Sequence, residues 1–67
     1  MNTDIIEGKW KQLKGQVKTQ WGQLTDDDVD VINGEIEKFS GVIQERYGKS
    51  KEEADKEVDA FCKKHGI

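Results

Sequence analysis

Cys62 and His65 stand three residues apart and form a C-x-x-H pair on one face of a helix. The chemistry such a pair suggests is zinc binding, which takes about four ligands in a tetrahedral arrangement. The chain holds one cysteine and one histidine, so the remaining ligands would have to be carboxylates such as Asp59. A buried or half-buried thiol near a helix end is the simpler reading, and no metal is expected; an intermolecular disulfide under oxidation is the chemistry left to Cys62. Nucleophilic catalysis needs a serine or cysteine beside a histidine that a carboxylate orients. No spacing puts such a set around His65, so no catalytic residue is predicted and the chain is not read as an enzyme. Asp26, Asp27, Asp28 and Asp30 lack the spaced oxygen ligands and central glycine of a calcium loop. They read as first-turn acids that stabilise a helix. The glycines follow a helical pattern, not a strand–turn–helix one, so no phosphate cradle and no cofactor are expected.

One charged feature is left. Lys11, Lys14 and Lys18 share a side of the first helix, with Lys9 beside them. A strip of this kind can contact phosphates, or it can be the solvated face opposite Trp10, Leu13 and Val17. Residues 1–24 carry four lysines against two acids, a net of +2, and residues 25–67 carry seven bases against twelve acids, a net of −5. The whole chain is at −3 and Arg46 is its one arginine. A net acidic protein is repelled by nucleic acid at long range unless it presents a basic face. The five aromatics occupy core-type positions, where they offer no stacking platform to a single strand. The solvated face is therefore favoured, and Lys9, Lys11, Lys14 and Lys18 remain the candidate binding surface for nucleic acid or a protein partner.

The elements that must position these residues are written as one pattern repeated 26 residues apart. Ile6, Gly8, Trp10, Leu13, Gly15, Val17, Trp21 and Gly22 align with Ile32, Gly34, Ile36, Phe39, Gly41, Ile43, Tyr47 and Gly48. The spacing predicts a first helix over 3–21, capped by Asn2 or Thr3 and ended by a left-handed Gly22. Thr25 is a start signal whose hydroxyl can accept from the backbone N–H of Asp28. A second stripe of Val29, Ile32, Ile36, Phe39, Ile43 and Tyr47 runs from 26 to 47 across Asn33-Gly34, which predicts one kinked helix or two, over 26–32 and 35–47. Ser50 caps a last helix with Ala54, Val58 and Phe61 on its apolar side, and Gly66 stops it. The fold class is all-α: a small bundle of two crossed αα-hairpins, three or four helices, in a single domain over 1–67. Trp10, Trp21, Phe39, Tyr47 and Phe61 should dominate its core. Gly8, Gly15, Gly34 and Gly41 lie inside helical patterns at a cost of about 1 kcal/mol each relative to alanine. Close helix approach is one reading of them, and inheritance of a duplicated segment that tolerates flexibility is the other. Ile5, Val31 and Val42 fall off the stripes and either cover gaps between hairpins or form a self-association patch.

Composition bounds the rest. Charged residues make up 37% and hydrophobic ones 33%, near the border where chains stay disordered, but their periodic placement argues for folding. No apolar run approaches the roughly 20 residues of a membrane span. A lone cysteine and no recognisable signal peptide predict a reducing, cytoplasmic setting. A monomer is expected, and no partner is identified by these residues.

The run from Glu7 through Gly15 (EGKWKQLKG), with Trp21-Gly22, Leu24 to Asp28 and Gln44 to Gly48, resembles the CsbD-like family of small bacterial proteins over nearly the whole chain. The resemblance implies two helical hairpins packed across each other, similar to SAM-like domains. It also implies a place in the general stress response, with accumulation in stressed or stationary cells. It supplies no catalytic residues. A hydrophilic chain over a minimal core would stay soluble when water activity falls.

Overall fold

A computed structural model describes residues 9–66, and every structural statement below concerns these residues. Four helices follow one another: α1 (Trp10–Gln20), α2 (Asp26–Ile32), α3 (Ile36–Tyr47) and α4 (Lys51–Lys64). No strand forms among the described residues. The expected first helix is found over its second part, whereas its start, with Asn2, Thr3, Ile5 and Gly8, lies outside the described residues.

Local chemistry sets the boundaries. Thr25 Oγ1 accepts from the Asp28 N–H at 3.1 Å and Asp28 Oδ2 accepts from the Thr25 N–H at 3.0 Å. The two bonds satisfy two donors that a helix start leaves open. Ser50 caps α4 with a single bond, accepting from the Glu53 N–H at 3.2 Å. Asn33 and Gly34 are both left-handed, at φ 45° and 82°, and they split the middle stripe into two helices. Gly48 leaves α3 at φ 63° and Gly66 follows α4 at φ 73°.

Gly22 departs from expectation: it is not among the residues with positive φ. The chain leaves α1 one residue earlier, at Trp21, with φ −119° and ψ 78°. There the Leu24 N–H closes a turn onto the Trp21 carbonyl at 3.0 Å. The indole of Trp21 is drawn into the core, and that burial sets the exit direction in place of a glycine cap.

The core holds Trp10, Leu13, Val17, Trp21, Leu24, Val29, Ile32, Phe39, Ile43, Ala54, Val58, Phe61 and Cys62. Phe39 lies at its centre, with ring centroids 5.8 Å from Trp10, 5.0 Å from Trp21 and 5.8 Å from Phe61. Edge-to-face pairs at such distances add to the area they bury. Tyr47 is half-buried at the rim, where its hydroxyl accepts from the Gln23 N–H at 3.1 Å. Val42 packs on the core and Val31 is exposed. An added Cβ would meet nothing within 4 Å at Gly15 or Gly41, so close helix approach does not explain either glycine.

Candidate functional site

Lys9 precedes α1, and Lys9 and Lys11 are exposed with no ion-pair partner among the described residues. Lys14 and Lys18 face α2. Lys14 Nζ lies 3.2 Å from Asp30 Oδ1, and Lys18 Nζ donates to Asp26 Oδ1. Four residues forward along α1 is four residues back along α2, so the helices run antiparallel and the two pairs are rungs of one ladder. The hydrogen bond from Lys18, and its charge, hold the Asp26 carboxyl below the ordinary aspartate value. A third rung from Lys11 would fall at Asn33-Gly34, where α2 has ended.

Cys62 is fully buried, and burial, followed by the charge of Asp59, pushes its thiol above the ordinary cysteine value. A thiol so placed is a poor nucleophile and a poor ligand. His65 packs against Phe61 in a tilted arrangement, with ring centroids 4.4 Å apart and planes at 51°. Asp59, the neighbouring carboxylate, pairs with Lys63 at 3.0 Å. Among the described residues no three of the metal-ligating side chains converge.

The acids of α2 take separate roles. Asp28 is buried and receives Arg46 in a two-pronged contact, Nε to Oδ2 and Nη2 to Oδ1, each at 2.8 Å. Asp26 and Asp30 bind the α1 lysines, and Asp27 is exposed at the helix start, where its charge favours the dipole. The Asp28–Arg46 pair was not foreseen from sequence; the available signal was that an arginine with planar, two-pronged geometry suits a buried carboxylate better than any lysine here.

Two open grooves flank the core. One of about 600 Å³ follows the α3–α4 seam past Ile36, Ser40, Gln44 and Asp55. In it Ser40 Oγ donates to Asp55 Oδ1 at 2.5 Å, and Lys51 donates to Asp55 Oδ2 at 2.7 Å. Lys51 and then Ser40 hold the Asp55 carboxyl below its ordinary value. The other groove, of about 460 Å³, lies between α1 and α4 and includes His65. Ser40 and His65 thus line different grooves.

The model of a family described as CsbD-like matches residues 4–56. The UPF0337 protein YjbJ of Escherichia coli O6:H1 is 55% identical over 65 residues, which cover 97% of this chain and 94% of that one. A UPF0337 protein of Bordetella pertussis is 56% identical over 61 residues, 91% of this chain and 92% of its own. A UPF0337 protein of Pseudomonas aeruginosa is also 56% identical over 61 residues, 91% of this chain and 94% of its own.

Proposed function

Because the chain belongs to the CsbD-like family, we propose that it is a non-enzymatic, cytoplasmic protein of the bacterial general stress response. The observation that carries this reading is the contrast between core and shell. An aromatic core around Phe39 is wrapped in a surface whose one exposed large hydrophobic residue, among those described, is Val31. A molecule without a sizeable apolar patch resists association as water becomes scarce and protein concentration rises. No described helix is long and apolar enough to cross a membrane. The test is survival of a deletion strain after osmotic and desiccation stress. Lower survival, restored by the gene, is expected; equal survival under every stress applied overturns the reading.

A second reading is a binding module that uses Lys9, Lys11, Lys14 and Lys18 against nucleic acid or a protein partner. The exposure of Lys9 and Lys11 favours it. Glutamate at all four positions should abolish binding and preserve the helical signal; binding that survives excludes the strip.

A further inference from the structure

The basic strip and the acidic helix beside it are one device. Each rung of the ladder sets a lysine that a phosphate would want against a carboxylate already in place. Lys14 and Lys18 are 41% and 46% exposed, and Asp30 and Asp26 are 66% and 80% exposed, so the rungs stand in solvent and can exchange partners. Asp28, by contrast, is committed to Arg46 and Thr25 and takes no part. We infer that Asp26 and Asp30 are a built-in competitor for Lys14 and Lys18, lowering the affinity of this face for phosphate polyanions until the two carboxylates are displaced or neutralised. This rests on the binding-module reading. It adds that the α1 surface is self-inhibited at Lys14 and Lys18, whereas Lys9 and Lys11 meet no carboxylate among the described residues.

The ladder also explains why a face with four lysines in sequence has two of them matched by carboxylates in space. Lys14 and Lys18 repeat at a four-residue interval, as do Asp26 and Asp30, and the antiparallel turn between α1 and α2 brings the two series into register. A polyanion must therefore break the ladder before it engages all four lysines.

The experiment measures binding of the full chain to short duplex DNA at about 50 mM and about 200 mM salt, a range over which phosphate contacts weaken steeply. D26N/D30N should bind about tenfold more tightly at the lower salt, with a log–log salt slope steeper by up to about two, one for each released lysine. D27N/E45Q removes the same charge away from the ladder and should leave affinity within about twofold if contact, and not net charge, is what matters. Adding K14Q/K18Q to D26N/D30N should cancel the gain. D30N alone, which leaves the Thr25–Asp28 cap and the first turn intact, should show part of it. Circular dichroism confirms that each variant is folded. An equal gain in D27N/E45Q overturns the inference, because net charge then explains it. No gain in D26N/D30N, with a wild-type protein that binds through Lys14 and Lys18, also overturns it and leaves the binding module standing. No binding by either protein at low salt removes both.

Discussion

Asp28 ties the start of α2 to the end of α3. One carboxylate accepts the Thr25 N–H at 3.0 Å and both prongs of Arg46 at 2.8 Å, so a helix cap and an inter-helix ion pair share the same two oxygens. The hydrogen bonds from Arg46, then that from Thr25, bring its pKa down to about 2 from an ordinary 3.8. A carboxyl depressed on folding stabilises the native state above its unfolded pKa, and that contribution fades as pH falls through the folded value. Asp28→Ala should cost about 2–3 kcal/mol at neutral pH through loss of cap and pair together. Melting temperature measured from pH 7 down to pH 2 should fall less steeply below about pH 4 in Asp28→Asn than in the parent. Parallel curves would show that another group carries the acid sensitivity.

Trp21→Ala should remove about 3–5 kcal/mol. The indole is 3% exposed and meets Phe39 at 5.0 Å and Phe61 at 5.2 Å. A chain of this size holds roughly 3–10 kcal/mol in all, so the variant should lose most of its cooperative melting by circular dichroism. A retained sharp transition would show that Trp21 is not central to the core.

Glycine substitutions should have opposite signs. Gly15 and Gly41 lie inside α1 and α3, and an added Cβ at either meets open space. Gly15→Ala and Gly41→Ala should each stabilise by about 0.5–1 kcal/mol, mainly by restricting the unfolded chain. Gly48 also has room, but its φ of 63° strains an L residue. Gly48→Ala should therefore destabilise by about 1–2 kcal/mol. Urea midpoints of the three variants decide this, and a shared sign would contradict the account.

The Cys62 thiol should be silent in the folded protein. Its side chain is fully buried and burial raises its pKa. Reaction with a thiol reagent at neutral pH should occur only through unfolding and accelerate in parallel with denaturant-induced exposure. Rapid labelling of the native protein would place the thiol at the surface.

Much of the fold was legible because it depends on period and caps. Phe39 and Ile43, like Trp10, Leu13 and Val17, were assigned inward by a helical step and are buried. Thr25 and Ser50 were recognised as caps from their type and the acids that follow. Asn33-Gly34 was ambiguous because the apolar period runs in phase across it, and two consecutive left-handed residues resolve it into a break. Gly22 misled because a glycine at a helix end suits a left-handed cap, whereas the burial of Trp21 turned the chain first. The 26-residue pattern aligns Gly22 with Gly48, yet only Gly48 is left-handed, and α2 is half the length of α4, at 7 and 14 residues. The lysine strip was visible as composition, but its partners were not. The pairing of Lys14 with Asp30 depends on the angle of the turn between α1 and α2, which no local pattern encodes.

A folded domain is proposed to serve the stressed cell without catalytic chemistry of its own. The most direct measurement is complementation of a deletion strain by a Cys62→Ala/His65→Gln variant verified to melt cooperatively above growth temperature, beside the unfolding Trp21→Ala. The account predicts that the first restores survival after osmotic and desiccation stress in full and that the second does not. A folded Cys62→Ala/His65→Gln protein that fails to restore survival would contradict it, because the thiol or the imidazole would then be doing chemistry the cell requires.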